Sequence, residues 1–151
     1  MHYEDLTFYR DHDYFKTAFG GFAPHRDEDA AVKFALNVVL LDNRLDELVE
    51  VVVDGSQLGG IEGDPGWMLE RRDVADEGNE AAYPGWPVGA RFKASVDEDA
   101  YRLQHPEYFM SYEGFMKYLA LAIDAYVAAD PARKTTPSVV ALRNAVMFRA
   151  A

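Results

Sequence analysis

The side chains best suited to proton transfer or metal ligation near neutral pH are four histidines, His2, His12, His25 and His105. None lies three to five residues from another and there is no HExxH pair, so a zinc site would have to be assembled from distant parts of the chain. Asp11-His12-Asp13 has the composition of an oriented general base. Adjacent side chains on a helix do not face one another, however, and the cluster reads as a solvated first turn. There is no cysteine, which removes thiolate catalysis, disulfides and cysteine-ligated metal centres and is compatible with a reducing compartment. Ser56, Ser95, Ser111 and Ser138 sit in turn, strand or cap contexts without a GxSxG elbow. Gly55, Gly59, Gly60, Gly63 and Gly66 lack the spacing and the lysine of a phosphate loop. The tetrapeptide DEDA occurs at 27–30 and 97–100 with unrelated flanks, as expected of charged element boundaries. The residue types therefore predict no catalysis, no cofactor and no metal.

What is left is acidic and aromatic. Trp67 and Trp86 stand among carboxylates that begin at Glu62, and the residues with the composition of a partner-binding surface are Asp64, Glu70, Asp73, Asp76, Glu77, Glu80, Trp86, Asp97, Glu98 and Asp99. Rigid aromatics supply buried contact area, while carboxylates attract and orient a Lys/Arg-rich partner. Each acid also has a plainer role in solubility, and Trp67 at the start of a strand suits core packing. The net charge is −11, with −7 over residues 1–61, −6 over 62–99 and +2 over 100–151. That balance repels phosphate backbones and anionic lipid, so neither nucleic acid nor membrane is an expected partner, and a basic protein is.

The elements that must position these residues fit one domain, 1–151, in which roughly 70% of the unfolded surface is buried on folding. The N-terminal MHYEDLTFYRD carries acids where a signal peptide carries bases, and no apolar run approaches bilayer length, so a soluble, cytoplasmic protein is expected. The clearest helical stripe runs from Tyr108 to Ala129, through Phe115, Leu119, Ala122, Ile123 and Tyr126, with Ser111 as N-cap and Asp130-Pro131 as the stop. The rest of the chain is expected to be organised around it. Short helices are predicted over 11–21 and 27–41, the latter entered through Asp27, Glu28 and Asp29; a strand through Phe34–Leu41 is the rival reading. The β-branched run Leu48–Val53 before Asp54-Gly55 predicts a strand and tight turn, with further strands at 57–62 and 67–72. Residues 73–87 read as a long surface loop. Ala90–Val96 alternates cleanly, with Phe92, Ala94 and Val96 on one face and Arg91, Lys93 and Ser95 on the other. Thr136-Pro137 opens a last helix carrying Val139, Leu142, Val146 and Met147, which pairs antiparallel with the preceding one. The class is α+β: a small, mainly antiparallel sheet with N-terminal helices and a C-terminal helix pair.

One order of features runs through the second half of the chain. YPGWP at 83–87, a G-x-R-F strand at 89–92, the S-Y-x-x-F-x-x-Y-L-x-x-A-I-x-x-Y helix from Ser111 and the closing Asp130-Pro131 follow one another over residues 83–131. This order resembles small immunity proteins of bacterial polymorphic-toxin and contact-dependent growth-inhibition systems. The resemblance implies a cytoplasmic, non-enzymatic protein that binds and neutralises a cognate toxin domain, often a basic nuclease, through its acidic surface. The alternative from the residues alone is a small enzyme or ligand-binding domain with a pocket between sheet and helices.

Overall fold

Residues 30–41 are apolar all round except for Lys33 and Asn37, a pattern that demands burial on every side. In the computed structural model, which describes residues 13–53, 56–63, 66–76 and 80–150, they form α2 (Ala30–Leu41), and every residue from Ala30 to Leu40 is buried. The helix predicted over 27–41 is thus present from Ala30, and the rival strand is not. This helix, and not the one predicted from Tyr108, is the element the molecule is built around.

Around α2 stand α1 (Phe15–Phe19), α3 (Leu45–Val52) and α4 (Tyr112–Ala129). A four-stranded sheet packs on it as well: β1 (Gly60–Gly63), β2 (Trp67–Arg71), β3 (Phe92–Val96) and β4 (Glu107–Met110). The strands form an antiparallel meander in the order β1-β2-β3-β4, as the α+β reading requires. Ile61, Trp67, Leu69, Phe92, Ala94, Val96 and Met110 point inward and are buried, and Phe92 stacks on Phe115 of α4 at 4.3 Å. The last helix, α5 (Pro137–Ala150), folds back on α4 after a 3-10 turn at Pro131–Thr135, and Arg143 meets Asp124 at 3.2 Å, so the pair is antiparallel as predicted.

The two polar residues inside α2 are both matched. Asn37 Oδ1 accepts the backbone N–H of Tyr14 at 2.7 Å, which fixes α1 against α2. Lys33 donates to the Gly21 carbonyl at 3.2 Å and to Asp27 at 3.1 Å. Burial works to raise the Asp27 pKa, but the Ala23 N–H and the Lys33 ammonium outweigh it and hold the carboxyl below its ordinary value. Asp29 accepts the Tyr118 hydroxyl at 2.6 Å, tying the entry of α2 to α4. Burial, followed by the bonds to Asp29 and Tyr108, pushes that phenol well above its usual range.

Two further sequence expectations are corrected. The predicted strand Leu48–Val53 lies largely in α3. Leu45, Leu48, Val51 and Val52 recur at helical spacing and are all buried, and Asp46 and Glu47 complement the positive end of the dipole. Burial of that stripe overrides the β-branched preference for strand. Tyr108–Met110, read as the start of a helix, is β4; the helix begins after Ser111, whose hydroxyl accepts the Gly114 N–H at 3.0 Å, the cap expected of it. The predicted Asp54-Gly55 turn, Asp64, Pro65, Glu77 and the N-terminal residues including His2, Asp11 and His12 lie outside the described residues.

Arg71 joins the sheet to the helices. Its side chain is only 2% exposed. It donates to the carbonyls of Glu50 and Val51 at 2.9 Å each, of Ser56 at 2.7 Å and of Leu58 at 3.2 Å, and pairs with Asp73 at 2.5 Å. A cation thus sits at the negative end of α3 and satisfies its last carbonyls. Replacing Arg71 with Met keeps much of the stem but strands those acceptors, and urea unfolding should register a loss of about 3–5 kcal/mol. A loss below about 1 kcal/mol would mean that the carbonyls find other donors.

Candidate functional site

Because side chains alternate along a strand, the meander sorts its residues into two faces. The inner face is closed by α2, α3 and α4. The outer face carries two rows set by the register: Gly60, Glu70, Lys93 and Phe109 in one, Glu62, Met68, Ser95 and Glu107 in the other. All eight are half-buried or exposed, so this side of the sheet is open.

Across the second row runs a groove of about 600 Å³. Met68 and Ser95 line it beside the carboxylates of Glu62, Asp97, Glu98 and Glu107. Its end is shaped by a close approach: Asp97 N–H donates to the Gly66 carbonyl at 2.7 Å, and a Cβ on Gly66 would stand 2.9 Å from that of Ala100. Gly66 also has a φ of +129°, so glycine is required there on both counts. The Asp97 carboxylate accepts the Asp99 N–H at 3.0 Å, which fixes the turn and leaves Glu98 and Asp99 exposed. Lys93 crosses between the rows, 2.9 Å from Glu107 and 5.5 Å from the centre of the Phe109 ring. The groove is therefore lined by exposed carboxylates, of which Glu107 is paired with Lys93, and such a lining attracts cations.

The long loop that leaves β2 borders this face. Its described residues include 3-10 turns at Val74–Asp76 and Glu80–Ala82. Tyr83 donates its hydroxyl to Asp76 at 3.0 Å, and Arg72 lies 4.8 Å over the Tyr83 ring while donating to the Asp76 carbonyl at 3.1 Å. Burial first, then the hydrogen bond and charge of Asp76, raise the Tyr83 pKa. Trp86 meets Tyr83 edge-on at 5.2 Å and Phe109 at 5.4 Å, which pins the loop to the outer row of β4.

The carboxylates singled out from sequence are thus put to different uses. Asp97 and Glu98 line the groove, Asp99 stands beside it, and Glu70 belongs to the outer row. Asp73 is paired with Arg71, and Asp76 holds Tyr83, so both serve the loop. Trp86 is half-buried at the edge of the open face, and Glu80 begins a 3-10 turn. Glu107, Phe109, Met68, Ser95 and Lys93 were missed as site residues. Strand alternation through Glu107–Met110 was the available signal, obscured by the helical stripe that follows.

A second cavity, of about 500 Å³, opens between the ends of the helices near Tyr14, Leu40, Ala125 and Arg133. Arg133 donates to the Tyr14 hydroxyl at 2.8 Å and to the Tyr126 carbonyl at 3.0 Å. Neither of these two cavities lies between sheet and helices, where Leu69, Phe92 and Ala94 meet a filled core. Among the described residues no group of three or more His, Asp or Glu is placed to hold a metal ion, and no helix is long and apolar enough to cross a membrane. Comparison with protein-family models, with curated proteins and with solved structures gives no match.

Trp67 is 2% exposed and supplies a fixed background of fluorescence, against which Trp86 reports on the loop. Phe109→Ala should shift the emission to the red and increase acrylamide quenching with the fold retained. Unchanged emission would mean that Tyr83 alone holds the indole.

Proposed function

We propose that this protein is a cytoplasmic immunity protein that binds a basic toxin domain through the open face of its sheet and has no catalysis of its own. The observation that carries the reading is the groove, which Glu62, Asp97, Glu98 and Glu107 line on a face that none of the described helices covers. An antiparallel sheet with one solvated face is ordinary. A solvated face that also gathers this many carboxylates, with a tryptophan-bearing loop at its border, has the layout of an interface in which aromatics anchor and charges steer. The order of motifs over residues 83–131 that resembles immunity proteins supplies the kind of partner, and the net charge of −11 supplies its sign. The filled space between sheet and helices also favours partner binding over the ligand-pocket alternative.

The direct test is retention of the C-terminal domain of the polypeptide encoded immediately upstream, followed by rescue of growth when that domain is expressed. Glu62, Glu98 and Asp99 are exposed. Reversing all three to Lys should therefore leave the unfolding midpoint unchanged, slow association about 10- to 100-fold at low salt, and flatten its salt dependence. Absence of rescue by the native chain, or association at low salt that the triple reversal does not slow, would refute the proposed interface.

A further inference from the structure

We infer that the stretch Gly85–Gly89 is a preformed apolar anchor that seats in an apolar socket, rimmed by basic groups, on the protein partner; this rests on the proposed partner-binding function. Two hydrogen-bonded turns follow one another here, closed by Trp86 N–H to the Tyr83 carbonyl and Ala90 N–H to the Pro87 carbonyl, both at 3.2 Å. Each has glycine with positive φ at its third position, Gly85 at +81° and Gly89 at +85°, and the first has Pro84 at its second, the signature of type II turns. A Cβ on either glycine would meet nothing within 4 Å, so glycine answers there to backbone conformation and not to crowding. The second turn puts Val88 at its corner, where it is fully exposed.

The base of this tip is held fast. Trp86 lies against Tyr83 and Phe109, Arg72 covers Tyr83, and Pro84 and Pro87 limit the backbone on either side of Trp86. Val88 is the most exposed of the large apolar side chains and stands on a backbone held by two hydrogen-bonded turns. A short β-branched side chain on a backbone already held loses little entropy when a partner covers it. The tip is also continuous with the acidic groove: Trp86 touches Phe109, Lys93 lies over Phe109, and the same Lys93 pairs with Glu107 in the groove wall. A partner drawn to the carboxylates therefore meets the tip at the same surface, and charge complementarity identifies that partner as a basic protein.

The test compares binding kinetics of native protein, Val88→Ser and Val88→Ile toward the toxin domain encoded upstream, at low and high salt, with oligomeric mass measured in parallel. Val88→Ser should raise the dissociation rate about tenfold at both salt concentrations, without changing the association rate or the unfolding midpoint, and Val88→Ile should retain native binding. An unaltered dissociation rate in Val88→Ser, with association still slowed by the triple lysine reversal, would overturn the anchor and leave the groove standing. If native protein fails to bind that domain, both fall. A native dimer that Val88→Ser dissociates would assign the tip to a second copy of the chain and overturn the proposal.

Discussion

The burial of α2 on all sides is the constraint from which the rest of the arrangement follows. A helix with Ala, Val, Phe and Leu around its whole circumference has no face to give to water, so it needs a sheet on one flank and helices on the others. Elements from both ends of the chain meet this need: α1 and α3 flank α2 in sequence, and α4 arrives from the C-terminal half. Asn37 and Lys33 draw in the backbone of α1 and the loop after it, so even the polar atoms in this helix serve its enclosure. With the described helices gathered on one side of the sheet, none of them covers the outer side.

The open face is therefore a consequence of how the core is closed, and its chemistry is set by the meander. Glu62 and Glu107 belong to opposite edge strands, and the register aligns them in one row with Met68 and Ser95 between. The Asp97–Ala100 turn adds two more carboxylates at the end of that row. Other acids of the same stretch have internal duties. Asp73 balances Arg71, which secures the end of α3, and Asp76 secures Tyr83. Carboxylates close together in sequence are thus divided between building the loop and facing solvent.

Local signals were legible where one force decided the outcome. The alternation of Phe92, Ala94 and Val96 marked a half-buried strand, Ser111 marked a helix start, and Asp27–Asp29 announced α2. Where local preference and burial disagreed, the sequence misled. Val51 and Val52 favour strand, yet the spacing from Leu45 and the cation supplied by Arg71 make the segment a helix. Tyr108–Met110 joins smoothly to the stripe of α4, and only its pairing with β3 separates it. The groove lay beyond local reading altogether, because its walls come from residues as far apart as Glu62 and Glu107, which only the strand order brings together. Likewise, nothing in the spacing of Asp73 and Asp76 distinguishes them from Glu98; the difference is which of them finds an arginine or a phenol nearby.

The most direct measurement is hydrogen–deuterium exchange of the native chain, alone and with the proposed partner, the C-terminal domain of the polypeptide encoded immediately upstream. Slowed exchange in the Gly85–Ala90 tip, the Asp97–Ala100 turn and the edge strand Glu107–Met110, with α5 unaffected, is the result that an interface on the open sheet face predicts. Slowing confined to α4 and α5, with those three segments unchanged, would contradict it and place the partner on the helical side.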